Sequence, residues 1–160
     1  MLRREKIGKM QDAREVTPKA QKYRAAWPVE PPHAMERDGN SMSLLTICLP
    51  YPPSLNTYWR HLKNGRTIIS LAGRLYRAHV EMVANRYMLS KAFPTQRLAV
   101  SIDLVMPDRR TRDIDNLAKV IFDAFTASRM WGDDSQVDEM HIYRKGISAP
   151  GFVIVTVAAI

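Results

Sequence analysis

A single cysteine, Cys48, stands in a chain of 160 residues. It has no intramolecular disulfide partner, and with so few thiols a zinc cluster is excluded. The cysteine sits inside the apolar run 44–49, where a buried, inert thiol is expected. Histidine is also scarce. His33 falls in the N-terminal region, and His61, His79 and His141 are far apart, so they do not resemble a metal set. No run approaches the ~20 apolar residues of a membrane span. The N-terminus is charged from Arg3 onward and lacks the apolar core of a signal peptide, so a cytoplasmic, reducing location and no membrane partner are expected.

Positive charge is abundant. The formal net charge is +8 and the pI about 9.9, which favours a polyanionic partner, nucleic acid before an acidic membrane surface. With 46% hydrophobic and 25% charged residues, one packed globular domain is within reach.

Residues 1–41 differ from the rest. They hold nine Lys/Arg and six Asp/Glu, few branched aliphatics and the loop-like stretch 27–33, and read as a disordered N-terminal extension. Met42 follows directly, so an upstream start codon is one explanation of the extension. The domain expected at 42–160 keeps 15 Lys/Arg against 10 Asp/Glu.

Within it, residues 44–49, 67–70, 98–106, 136–143 and 152–157 read as strands. The first is stopped by Pro50, Pro52 and Pro53. Residues 73–90 and 115–128 read as helices, the second with Leu117, Val120, Ile121, Ala124 and Phe125 as an apolar stripe. Strands and helices interleave without a regular repeat. The expected fold is a small single α+β domain, a mixed β-sheet packed with two main helices.

The densest chemistry lies at 107–119. Arg109, Arg110 and Arg112 sit beside Asp113 and Asp115, with Lys119 one helical turn on and Asp133 and Asp134 a short loop beyond the helix. Opposite charges this dense would mostly neutralise each other, unless a divalent cation joined the aspartates and a phosphate lay between it and the arginines. Hard Mg²⁺ or Mn²⁺ suits carboxylate oxygen. If the chain is extended at 113–115, both carboxylates leave one face. Lys119 would steady negative charge on phosphorus or orient the attacking water. Blander readings are available: Asp115 as a helix cap, Asp115 and Lys119 as a surface i,i+4 pair, the arginines as a solvated loop paired to its own aspartates. The loop 52–60, with Ser54, Asn56, Tyr58, Trp59 and Arg60, suits a nucleic-acid backbone or splayed bases, or else covers the core with its aromatics. Phe122 falls on the polar side of its helix. Three roles are open to it: a subunit interface, packing under the Trp131 loop, or DNA contact.

Taken together, the segments 52–60, 70–77, 106–117, Lys119, 122–124 and 131–137 resemble the RusA family of Holliday junction resolvases, small Mg²⁺-dependent endonucleases common in prophages. The resemblance spans about Leu44 to Val157. It implies Asp113, Asp115 and Asp134 as metal ligands and Lys119 as the catalytic lysine, with Asp133 a structural neighbour. Arg109, Arg110 and Arg112 fit phosphate positioning, since guanidinium forks match phosphate oxygens, and with Ser54, Asn56 and Asn116 they are the expected DNA contacts. Paired symmetric nicks in a four-way DNA junction, made by a homodimer near the nucleoid, are the implied activity, since a two-fold dimer presents two equivalent sites. Thr111 stands where the family often has a fourth arginine, and the extension lies outside the family pattern. A less selective flap or fork nuclease and a non-catalytic junction-binding protein are the alternatives.

Overall fold

The computed structural model describes residues 33–39 and 41–160. A five-stranded sheet forms its spine. In chain order the strands are β1 (Ala34–Asp38), β2 (Ser41–Pro50), β5 (Leu98–Met106), β6 (Val137–Ile147) and β7 (Phe152–Ala159), arranged β1-β2-β7-β5-β6. β6 runs parallel to β5 and the other pairings are antiparallel, so the sheet is mixed. A small hairpin, β3 (Trp59–His61) with β4 (Thr67–Ile69), stands apart. The helices are a single turn α1 (Leu55–Tyr58) and the two main ones, α2 (Leu71–Arg86) and α3 (Asp115–Ala127).

β5 shows why the sequence folds this way. Its even-numbered residues Leu98, Val100, Ile102, Leu104 and Met106 are buried, while the odd-numbered ones stay partly exposed. The period of two gives the strand one core face. β7 buries Val153, Val155 and Val157 and β2 buries Leu45, Ile47 and Leu49 on that same side. Against this face α3 lays its expected stripe, Leu117, Val120, Ile121, Ala124 and Phe125, all buried. β5, α3 and β6 form a strand–helix–strand crossover, the connection a parallel pair requires.

Several boundaries differ from the sequence reading, among them the end of β6, which runs to Ile147 rather than 143. Ala34–Asp38 and Ser41, expected within the disordered extension, form β1 and open β2; residues 1–32 and 40 of that expectation lie outside the described residues. β2 starts at Ser41, before the expected Leu44, and stops as expected at the prolines, with Pro50 its last residue opposite Phe152. α2 starts earlier and stops earlier than expected. Ser70 caps it, accepting the Gly73 N–H at 3.1 Å while donating to the Thr57 carbonyl at 2.6 Å. Met88, with φ of 53°, reverses the chain just past its end.

Gly73 is where α2 meets the loop before it. A Cβ there would lie 2.7 Å from Ile69 Cγ2, 2.8 Å from Tyr58 Cδ2 and 3.0 Å from the Tyr58 carbonyl oxygen. Gly73→Ala is therefore expected to lower stability by about 1–3 kcal/mol, despite alanine's better helix propensity. Urea unfolding checks this; an unchanged or raised midpoint contradicts it.

Candidate active site: two clefts beside one helix

Two open clefts flank α3, one at its start and the other along its middle and C-terminal end. One, about 430 Å³, is lined by the proline loop (Tyr51, Ser54, Asn56) and by Arg112, Asp113 and Asn116. The other, about 400 Å³, is lined by Tyr58, Trp59, Arg77, Lys119, Asp123 and Asp134. Of the expected site residues, Ser54, Asn56, Arg112, Asp113 and Asn116 line the first cleft and Lys119 and Asp134 the second, while Arg109, Arg110 and Asp115 line neither. Asp115 is the first residue of the helix and is exposed.

In the proline-loop cleft the key device is Asp108. Its two oxygens accept a fork from Arg112, Nη1 at 2.6 Å and Nη2 at 2.9 Å, and Oδ1 also accepts the Arg110 backbone N–H at 2.9 Å. The Arg112 bond first, then the Arg110 N–H, hold the Asp108 carboxyl far below the ordinary carboxylate range. The Arg112 guanidinium also lies 5.9 Å from the Tyr51 ring centre, and its carbonyl accepts from Arg144 Nη2 at 2.8 Å. Of the three arginines, then, Arg112 is fixed by its own loop. Arg110 is loosely placed, 3.9 Å from Asp108, and Arg109 is exposed without a hydrogen-bond partner among the described residues. Asn116 donates to Asp113 at 3.5 Å. Ser54 contacts Thr57 Oγ1 at 3.1 Å, and Asn56 is exposed.

Asp108→Asn is expected to free Arg112 and lower any cleavage roughly three- to tenfold with little loss of stability, because a preset fork is replaced by a mobile one. With the folded carboxyl depressed, the stabilisation from this pair is present above the ordinary aspartate value of 3.8 and is lost as pH falls through the depressed value. Acid titration of the loop should therefore show it intact at neutral pH and loosened only in strong acid, with that late step absent from Asp108→Asn.

In the other cleft, Lys119 Nζ is 2.6 Å from Asp134 Oδ2 and 3.2 Å from Asp123 Oδ1. Its pair partners are thus Asp123 and Asp134, not Asp115, so the i,i+4 reading pointed the wrong way along the helix. The bond to Asp134 chiefly, with help from Asp123, raises the lysine above its ordinary value against the opposing effect of burial. It is a cation throughout the neutral range.

The loop after α3 decides which aspartate reaches in. Asp133 caps the short 3-10 turn Asp134–Gln136 by accepting the Ser135 N–H at 2.9 Å. Gln136, nearly buried, accepts from the N–H groups of Gly132 and Asp133 and donates to the carbonyls of Phe93 and Gln96. With Asp133 and Gln136 committed to the turn, Asp134 is the one that faces Lys119. Trp131 is buried between Phe122 and Phe125, ring centres 5.2 and 5.1 Å apart, and donates to Thr126. Packing under Trp131 is therefore the role of Phe122. Tyr58 is buried and Trp59 packs against the core, so of the two uses considered for the proline loop, covering the core is what its aromatics do.

Two expectations about Asp113 and Asp115 fail. Ile114 between them has helical dihedrals (φ −76°, ψ −29°), so the extended geometry that would put both carboxylates on one face is absent. The capping role for Asp115 is absent too: Ile114 is the cap residue and no side-chain capping bond forms. Among the described residues no three acidic, histidine or cysteine side chains gather into a metal-ready cluster. Asp113 and Asp134 serve different clefts, and Lys119 occupies Asp134 Oδ2. The donor chemistry nonetheless fits a hard cation. All three are carboxylates, Asp115 has no partner among the described residues, and Asp134 keeps its second oxygen clear of Lys119.

Sequence reasoning passed over Asp108, Asp123 and Gln136. The first two carried a faint signal, each lying four residues from a cation; the last had none.

Comparison with known proteins places these features. The sequence pattern of the family described as Endodeoxyribonuclease RusA matches residues 50–157. The chain is 40% identical over 118 residues to the "Crossover junction endodeoxyribonuclease RusA" of Shigella sonnei, an overlap of 72% of this chain and 95% of that relative. It is 39% identical over the same shares to the protein so named in Escherichia coli K12, and 40% identical to that of Enterobacteria phage 82.

Proposed function

The chain belongs to the RusA family of endodeoxyribonucleases, and from that premise we propose that it is a Mg²⁺-dependent nuclease that resolves four-way DNA junctions by paired symmetric nicks. The observation that carries this reading is the close approach of Asp134 and Lys119 at the middle of α3, one turn along the helix from Asp115, a carboxylate with no structural task. Carboxylates facing a phosphate backbone serve no purpose in binding alone, which argues against a purely junction-binding protein.

In this reading Asp113, Asp115 and Asp134 hold the cation. When bound, Mg²⁺ (or Mn²⁺) would polarise the scissile phosphate and make hydroxide available near neutral pH. The protein's own groups do the rest. Arg112, whose Nη1/Nη2 edge is held by Asp108, offers its remaining N–H groups and its charge to a phosphate oxygen and helps fix the strand. Arg109 and Arg110, less constrained, neutralise neighbouring phosphates, while Ser54, Asn56 and Asn116 supply hydrogen bonds along the proline-loop cleft. Lys119, a permanent cation at neutral pH, steadies charge developing on the phosphorus oxygens.

No helix among the described residues is long and apolar enough to cross a membrane. We assign the nuclease to 42–160 with β1 as an added edge strand, place it with the nucleoid in the cytoplasm, and take it to act as a homodimer, because two symmetry-related strands must be cut. The test is a comparison of cleavage rates on four-way junction, flap, fork and linear duplex at one salt concentration. A strong preference for the junction supports the proposal; equal rates on flaps and forks would replace it with a less selective branch nuclease.

A further inference from the structure

The positive charge of the domain is not spread evenly along the chain. Residues 39–80 hold no aspartate or glutamate and five bases, Arg60, Lys63, Arg66, Arg74 and Arg77, whereas residues 81–160 hold ten bases and ten acids. The excess carried by 42–160 therefore belongs wholly to residues 60–77. Ion pairing sharpens the contrast. Arg97, Arg110, Arg112, Lys119 and Lys145 each pair with an aspartate, and among the described residues none of the five earlier bases pairs with an acid. Unneutralised charge gathered in one segment is the footprint of a polyanion. Bases scattered for solubility would not leave residues 81–160 neutral.

The fold sets these bases in a row that leads outward from the Lys119 cleft. Arg77 lines that cleft together with Lys119 and Asp134. Arg74, three residues back on the same side of α2, donates Nη1 to the Ile69 carbonyl at 2.8 Å, at the root of the β3–β4 hairpin. Trp59 and Ile69 pair across that root and line the same cleft, so hairpin and cleft are continuous. Arg60 follows on β3, and Lys63 and Arg66 flank Asn64 and Gly65 at the tip; these three bases are exposed. The tip is already closed by its own bonds. The Leu62 N–H donates to the Arg66 carbonyl at 2.8 Å, the Gly65 N–H to the Leu62 carbonyl at 3.0 Å and the Arg66 N–H to Asn64 Oδ1 at 3.2 Å. Only side chains, not backbone, remain to be ordered when a ligand binds. Residues 63–66 include no aromatic ring on which a base could stack, which suits a phosphate backbone better than splayed bases.

We infer that the β3–β4 hairpin, with Lys63 and Arg66 at its tip and Arg60 and Arg74 behind them, holds the phosphate backbone of a duplex DNA arm that leads out of the Lys119 cleft. The inference rests on the DNA-cleaving reading above and adds a contact away from the cut. Phosphates carry no sequence or branch information, so the hairpin adds affinity for any duplex arm and leaves preference for the junction to the clefts.

Equilibrium binding of the full chain to a four-way junction and to linear duplex, in EDTA over a range of salt, tests the contact apart from any cleavage. The double variant Lys63→Gln, Arg66→Gln should bind both DNAs roughly tenfold or more weakly at about 100 mM salt, with the slope of log affinity against log salt smaller by about two. The ratio of junction to duplex affinity should not change. Arg86→Gln with Lys91→Gln removes the same charge from exposed positions at and just beyond the other end of α2, and should leave affinity and slope near the wild-type values. Circular dichroism confirms that each variant is folded. A tip variant that binds like the wild type, a loss matched by the Arg86 and Lys91 control, or a loss on the junction alone overturns the inference, and a wild type that still cuts junctions then keeps the nuclease reading. A wild type that binds neither DNA and cuts neither in Mg²⁺ overturns both.

Discussion

Replacing Asp115 by asparagine is expected to reduce four-way-junction cleavage at least about a hundredfold while junction binding persists or tightens. The two outcomes separate because Asp115 has little structural work. It is exposed, forms no capping bond and has no ion-pair partner among the described residues. Its one fold contribution is a negative charge in the first turn of α3, worth about 0.3–1 kcal/mol with the helix dipole. Asparagine keeps the side-chain size and loses only that charge. If Asp115 holds a cation, the loss strikes cleavage; repulsion between carboxylate and phosphate is relieved at the same time, so binding does not fall. Thermal unfolding, junction binding and single-turnover cleavage on one preparation check all three. Cleavage within a few fold of wild type would remove Asp115 from the site.

Lys119→Met is expected to cost about a hundredfold or more in cleavage, the scale of losing one preorganised charge that meets a developing oxyanion. Methionine keeps the apolar stem, so packing along α3 survives. The charge is shared between Asp134 at 2.6 Å and Asp123 at 3.2 Å, both partly exposed, so stability should fall by no more than about 1 kcal/mol. Because the lysine value is raised in the fold, its contribution is fully present at neutral pH and is lost only as pH rises through that raised value. Neutral-pH rate profiles of the wild type should therefore show no step from Lys119. Wild-type-like rates for Lys119→Met would assign the residue to DNA attraction or folding alone.

Much of this was readable in the residues. β5 shows unbroken alternation over 98–106, and α3 shows a stripe at helical spacing, so burial on one face fixes both. What escaped was held by partners distant in sequence. Ala34–Asp38 has no alternation of its own and is a strand only because β2 offers an edge. The end of α2 is set by Met88 in a left-handed conformation, where glycine or asparagine would have signalled a stop. At the site, the residue types and their order were legible, but their orientation was not. Helical dihedrals at Ile114 separate Asp113 from Asp115, and Asp108 takes Arg112 for itself. Choosing Asp134 over Asp133 needed either the family resemblance or the turn in which Asp133 and Gln136 are occupied.

The central claim is metal-dependent cutting at a junction, and mapping the nicks on a synthetic mobile four-way junction tests it most directly. The protein is incubated with labelled junction or linear duplex, in Mg²⁺ or in EDTA, and products are sized on a denaturing gel. Paired nicks at symmetric positions on opposing strands, in the junction alone and with Mg²⁺ alone, are the predicted result. Tight junction binding with no metal-dependent nick, or equal nicking of linear duplex, would contradict it.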